Sequence, residues 1–455
     1  MNKRYKTTQD MKLTEVPKVK VGVMSDAVIE FELHGSYSVD GEAVAAGRYS
    51  AAYSNGKVQW QGKEYVHVLF QPGNEREDSF TLIGVTIGVN FHWERKEDQT
   101  FRGALDLIVE GDKLTTVNIL SVEDYLTSVI SSEMSANASL ELLKAHAVIS
   151  RSWLLAQIEK NQRIAQSGEA YQAQDNAEGE SIKWWDREDH VNFDVCADDH
   201  CQRYQGITRQ STKKVEEAIA ATYGEVVCHA GELCDARFSK SCGGVYEQFE
   251  NCWEPKHFDY LVAKRDAANE NDFPDLTKES NAEEWILTTP KAYCNTRDGK
   301  ILSQVLNNYD QETTDFYRWT VEYSQEEIAA LIRNRSGIDY GRIYNLEPVA
   351  RGTSGRLYKL KIVGEKRTQV IGKELHIRRT LSPSHLYSSA FVVERHEVDA
   401  DGFPKKFVLR GAGWGHGVGL CQIGAAVMGE QGYDYKQILL HYFIGASIDK
   451  YYPKN

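Results

Sequence analysis

The sequence predicts an α+β protein: a β-rich N-terminal part, a central helix pair, and a C-terminal β region closed by a glycine-rich loop and short helices. Three observations predict it. Residues 18–118 alternate apolar and polar positions in short runs (VKVGVM, AVIEFEL, YVHVLF, LDLIVEG) broken by Gly, Asn and Asp turns. The period then becomes helical over 121–134 and again from about Ser139 to Lys160. The β alternation returns over 346–409, in RLYKLKIVG, SAFVVERHEV and KKFVLRG.

The elements follow in order. Residues 1–17 form an N-terminal tail and 18–118 the β-rich region. Residues 119–266 form a core that begins with the helix pair. Ser121 is placed to cap the first helix, with Asp124 at the third helical position as a carboxylate version of the capping box. After the second helix, the polar stretch 161–206 reads as a long ordered loop. TKKVEEAIAATYGEVV reads as helix then strand, and ARFSKSCGGVYEQFE as strand with a Gly-Gly turn. Residues 267–345 are acidic and polar, an insertion or subdomain with a helix at SQEEIAALIRNR capped by Ser324. Residues 346–455 hold the C-terminal β region and GAGWGHGVGLCQIGAAVMGEQGYDYKQILLHYFIG, a glycine-rich loop and two short helices separated by Gly432.

Composition narrows the function. A chain of 455 residues with 41% hydrophobic content supports two or three packed domains. Its formal charge of −13, from 66 acidic and 53 basic residues, and its lack of a long Lys/Arg run argue against nucleic acid as partner. The longest apolar runs fall far short of the roughly 20 residues that a membrane span needs, so no transmembrane segment is expected. MNKRYKTTQD is not followed by an apolar leader core. Either a leader has been trimmed or the protein stays inside the cell. Eight cysteines, six of them between 196 and 252, are too sparse for a disulfide scaffold and point to a local metal site or local bridges.

Four groups of residues carry chemistry. Glu133 continues the apolar row Leu126, Val129, Ile130 at helical spacing, and a carboxylate held in a poorly solvated place gains the raised pKa that a general acid needs. The bland alternative is a glutamate that turns to water or pairs with a cation. Arg151 flanks the apolar row of the next helix, where it anchors a polar substrate group, pairs with a carboxylate such as Glu133, or lies on a solvated edge. His190, Cys196, His200 and Cys201 lie within twelve residues and supply two imidazoles and two thiolates, a zinc set, with a Cys196–Cys201 disulfide or ordinary buried thiols as alternatives. The glycines at 411, 413, 415, 417 and 419 let the backbone approach a ligand or a tightly packed neighbouring loop. A nucleotide cofactor is not expected, because His416 stands where a dinucleotide fingerprint needs glycine and the chain ends before a ribose-binding acid. His416 and Cys421 flank this loop as a candidate base and thiol nucleophile.

Three segments together resemble the SpoIID/LytB family of bacterial cell-wall and sporulation proteins. VNILSVEDYLTSVISSEMSANASLELLKAHAVISRSW is similar to the family's helix pair with its E-M-P turn, ARFSKSCGGVYE to its S-x-S-x-G-G strand-turn, and GWGHGVGLCQIGA to its closing G-H-G-V-G-x-S-Q-x-G-A signature. Ser135 replaces the usual proline and Cys421 the usual serine. The SpoIID branch implies a lytic transglycosylase that cuts the MurNAc–GlcNAc backbone of peptide-free peptidoglycan to 1,6-anhydro-MurNAc ends. The matching glutamate is Glu133, with Arg151 in the active site; the branch's zinc set corresponds to His190, Cys196, His200 and Cys201. On this expectation Ser239, Ser241, His416 and Gln422 bind the sugar and zinc braces the long loop. The LytB branch implies instead a non-catalytic enhancer that partners a cell-wall amidase; a Cys421/His peptidase or amidase is a third reading. The substrate class places the protein in the cell envelope, and the missing leader keeps a cytoplasmic role in wall recycling open.

Overall fold

In the computed structural model, residues 13–454 are described except for 88–93, 136, 168–172, 176, 185–189, 199–200, 209–210 and 306–313. They divide into two compact units: Met1–Gln166 with Arg187–Leu233 and Ile448–Asn455, and Ser167–Asp186 with Cys234–Ser447.

The first unit is built on two mainly antiparallel sheets, as the period-2 runs require. A six-stranded sheet takes the order Arg95–Arg102, Ser79–Ile87, Val28–His34, Gly47–Ser54, Lys57–Trp60, Lys63–Tyr65. A seven-stranded sheet contains Lys18–Asp26 paired with Lys113–Ser121 (Val19 opposite Leu120), followed by Ala104–Glu110 and Val68–Pro72. Their inner faces meet through aromatic rings, with Phe31 of one sheet edge-on to Phe70 of the other at 5.0 Å between centroids. The strand ending at Ser121 runs directly into helix α1 (Val122–Glu133), whose first turn Ser121 caps by accepting from the Asp124 N–H. A sheet strand thus fixes where α1 starts.

Helix α2 (Leu140–Ser167) runs beyond Lys160, so the polar loop expected from 161 begins later. Its polar sequence masked the continuation, because few apolar residues mark the extra turns. Short strands inside that stretch pair with distant partners: Val195–Cys196 runs parallel to Lys18–Asp26, with Cys196 opposite Gly22. Gly22 leaves room there for Phe193, whose ring lies 2.6 Å from where a Cβ would sit. Helix α3 (Lys213–Ala221), capped by Thr212, leads into the strand Glu225–His229.

The second unit carries α4 (Glu279–Leu287), α5 (Gly299–Val305), α6 (Gln325–Ser336), α7 (Glu374–Thr380), α8 (Gln422–Glu430) and α9 (Tyr435–Tyr442). Ser324 and Glu327 close a full capping box on α6. The returning β region forms Ile343–Arg351, Leu357–Gly364 and Thr368–Gly372 in one sheet and Phe391–Val398 with Pro404–Ala412 in another. A core of Ile343, Leu360, Ile362, Ile377, Phe391, Phe407 and Leu409 joins them. The short helix α7 interrupts the expected β pattern; of its side chains, Ile377 belongs to that core. Among the described residues no helix is long and apolar enough to cross a membrane.

Candidate active site

Glu133 is the last residue of α1 and is partly exposed, while Tyr125, Leu126, Val129 and Ile130 of the same helix are fully buried. Its Oε1 accepts a hydrogen bond from the Arg203 backbone N–H at 3.1 Å. That contact belongs to a longer seam. The Tyr125 hydroxyl donates to Gln202 Oε1 at 3.3 Å, the Gln205 N–H donates to Ser128 Oγ at 3.2 Å, and the Tyr204 ring stacks on Tyr125 at 5.1 Å. Residues 202–205 therefore lie along α1 from its first turn to its C-terminal end. Burial first, with Cys201, Cys196, Tyr204 and Glu133 adding negative charge nearby, pushes the Tyr125 phenol well up, so it stays a neutral donor.

The His/Cys cluster sits at the start of this seam. His190, Cys196 and Cys201 each bring a ligand atom to within 4.8 Å of the others, and all three are partly buried. His200, the fourth member expected, lies outside the described residues. Cys196 and Cys201 are not joined by a disulfide in this structure. Three converging N and S donors fit zinc, and such an ion would tie the loop start to the strand that carries Cys196.

Arg151 is fully buried, so the solvated-edge reading is corrected. Its carboxylate partner is Glu123, not Glu133: Nε donates to Oε1 at 3.0 Å and Nη2 to Oε2 at 2.8 Å. Nη1 donates to the Glu225 carbonyl at 2.9 Å, and Glu123 also accepts from the Gly224 N–H and the Tyr452 hydroxyl. Burial alone would lower the guanidinium pKa, but the Glu123 charge reverses this and raises it. Sequence reading missed Glu123, although it precedes Leu126 and Ile130 by three and seven residues and so shares the apolar face.

The other expected site residues belong to the second unit. The strand Phe238–Ser239 pairs in parallel with Leu420–Cys421, and Ser241 bridges to Trp414. Ser239, Ser241 and Gln422 are buried, and Ser239 Oγ accepts from the Gly417 N–H at 3.2 Å. Ser239 ties the strand-turn to the glycine-rich loop through its side chain, and Ser241 does so through its backbone pairing with Trp414. His416 Nδ1 accepts from the Val418 N–H at 3.0 Å; burial, then the charges of Arg237, Arg356 and Arg378, keep its pKa well below the usual histidine value. Cys421 is 1% exposed, and its sulfur accepts from the Cys242 N–H at 3.3 Å, so it presents no thiol to solvent. The alternating glycines surround another side chain that sequence reading missed. Arg356, buried, donates to the carbonyls of Cys242 and Gly415 and to Ser354 Oγ, and a Cβ on Gly417 would lie 2.4 Å from its Cζ.

Residues 110–229 match the family described as Stage II sporulation protein (SpoIID), and residues 247–419 match a domain of unknown function, DUF8618. Over 338 residues the chain is 24% identical to the amidase enhancer of Bacillus subtilis, covering 72% of this chain and 40% of that one. Over 337 residues it is 22% identical to stage II sporulation protein D of the same organism, covering 74% and 76%. It is also 25% identical over 377 residues to an uncharacterized protein of Brachyspira hyodysenteriae, covering 83% and 76%.

Proposed function

The chain carries a SpoIID/LytB-family domain, and from that premise we propose that it is a cell-wall protein that cuts the glycan strands of peptidoglycan as a lytic transglycosylase. The observation that carries this reading is Glu133 itself. It is a carboxylate at the end of a buried helix, partly open, and held on one oxygen by a backbone amide.

One carboxyl group suffices for the reaction. Protonated Glu133 donates its proton to the glycosidic oxygen as the bond from that oxygen to the muramyl anomeric carbon breaks. The muramyl 6-hydroxyl then attacks the same carbon, and the Glu133 carboxylate takes the hydroxyl proton. The 1,6-anhydro ring closes, no water is consumed, and the acid is regenerated. Hydrolytic glycosidases need a second carboxylate to activate water or form a covalent intermediate, and this route needs neither.

The remaining residues act through Glu133. Glu123 and Arg151 lock α1 to α2 and to the turn at Gly224, which makes Arg151 a positioning residue. Zinc held by His190, Cys196 and Cys201, with His200 as fourth ligand, would brace the loop whose Arg203 amide grips Glu133 and would take no part in proton transfer. The substrate class places this activity in the cell envelope.

The relative named an amidase enhancer favours a second reading, in which the protein binds glycan or a wall amidase without cutting. Mass spectrometry of intact and peptide-free peptidoglycan after incubation separates the two. New anhydro-muramyl ends support cleavage, whereas unchanged glycan together with faster peptide release by an added wall amidase supports the enhancer.

A further inference from the structure

The second unit holds a side-chain cluster that glycan chemistry leaves unused. We propose that Cys242, Asp266, Cys294 and Cys421 form a structural zinc site, three thiolates and one carboxylate, that staples together the two ends of the stretch matching the domain of unknown function.

Geometry supports zinc over a disulfide. One ligand atom from each residue lies within 4.8 Å of all the others. The sulfurs of Cys242 and Cys294 are 3.6 Å apart. Zinc–sulfur bonds of about 2.3 Å in a tetrahedron put sulfurs roughly 3.8 Å apart, whereas a disulfide requires about 2.05 Å. All three cysteines are free.

Burial and charge point the same way. Cys242, Cys294 and Cys421 are at most 2% exposed and Asp266 is fully buried. A carboxylate packed among three thiols, out of water, calls for a cation. His441 supplies part of that charge, 3.8 Å from one oxygen of Asp266, while its other ring nitrogen is shared with Glu270 at 2.9 Å. Asp266 is oriented by the Cys294 N–H at 2.9 Å and the Tyr442 hydroxyl at 2.8 Å, the outer contacts that aim a metal-binding carboxylate.

The backbone is shaped for thiolates. The Gly244 N–H donates to Cys242 Sγ at 3.4 Å and the Cys242 N–H to Cys421 Sγ at 3.3 Å. Gly243 and Gly244, at φ 79° and 109°, make the turn that brings the Gly244 amide round to the sulfur. Soft sulfur donors select zinc over magnesium or calcium, and four protein ligands leave no position for substrate, so the ion is structural.

The placement explains what the ion does. Cys242 follows the strand Phe238–Ser239 and Cys421 ends its partner, with a sequence separation of 179. Asp266 and Cys294 come from inside that interval. A link across so long a loop restricts the unfolded chain strongly. It also gives Cys421, which stands where the family signature has serine, a set of partners found on this chain.

The test uses the full chain with Cys196→Ser and Cys201→Ser, which removes two ligands of the other His/Cys cluster. After purification with zinc and reductant, elemental analysis is expected to find one zinc per chain. Zinc X-ray absorption is expected to show three sulfurs and one oxygen, at about 2.3 Å and 2.0–2.2 Å. Adding Cys294→Ala should remove that zinc. Should this variant fold poorly, the absorption spectrum of the parent double variant decides alone. Absence of zinc from the double variant, a shell dominated by nitrogen, or a Cys242–Cys294 disulfide in protein isolated from cells without reductant would overturn the site. None of these results depends on whether Glu133 cuts glycan.

Discussion

Arg151 grips Glu123 with two parallel N–H···O bonds of 3.0 and 2.8 Å, and neither group is free to meet a ligand. The pair fastens the first turn of α1 to the middle of α2, and so sets the direction in which α1 delivers Glu133. Breaking one side strands a buried charge, which costs about 3–5 kcal/mol. Arg151→Met and Glu123→Gln are each expected to destabilise the first unit by that order in urea unfolding. The double variant Glu123→Gln/Arg151→Met should cost less than the sum of the singles. Additive losses would show that the two side chains do not act as a pair.

The grip of the 202–205 segment on α1 makes a separate prediction. Cys196→Ser/Cys201→Ser is expected to speed amide hydrogen exchange over 201–208 while leaving α1 protected. Displacing the amide that holds Glu133 should reduce anhydro-end formation, by up to roughly 100-fold, the cost of misplacing a reacting group by about 1 Å. Unchanged exchange in that segment would mean the cluster braces nothing.

Glycine positions in the closing signature should differ sharply from glycines elsewhere. Gly432 has φ 89° and nothing within 4 Å of where a Cβ would stand, so Gly432→Ala should cost only the left-handed penalty of about 1–2 kcal/mol. Gly417→Ala adds a collision with Arg356 to the same penalty and should cost roughly 2–5 kcal/mol. Equal melting temperatures for the two variants would contradict the role given to Arg356.

Acid should weaken the second unit. Burial first, then Arg378, Arg379 and Arg335, lowers the His385 pKa from 6.5 to about 4, and its Nε2 accepts from Arg379 Nε at 3.2 Å. Because the folded value lies below the unfolded one, stability is complete above about pH 6.5 and is lost as pH falls from there toward 4. The loss is at most about 1.4 kcal/mol per pH unit for one histidine. Melting curves at pH 7 and 5 should show a smaller drop for His385→Gln than for the unsubstituted protein, and identical drops would refute the assignment.

Local chemistry was legible and distant partnership was not. Ser121 and Ser324 announced their helices because a cap and the turn it closes are only three residues apart. Glu133 stood out for the same reason, as a break in one helix's apolar row. Arg151 was visible as an arginine in need of a partner, but Glu123 lies 28 residues away on another helix, beyond any periodicity. The alternating glycines signalled close approach without naming Arg356, which arrives from a distant segment, just ahead of the strand Leu357–Gly364. Cys294 looked isolated in sequence because its partners come from three other segments.

Glu133→Gln isolates the proposed acid, because the substitution keeps size and the capacity to accept from the Arg203 amide while removing the proton donor. Anhydro-muramyl ends released from peptide-free glycan are to be counted by mass spectrometry for both proteins, with circular dichroism confirming equal folding. A single-acid mechanism predicts abundant ends with the unsubstituted protein and a loss of at least about 100-fold with Glu133→Gln. Equal yields from the two proteins would contradict it.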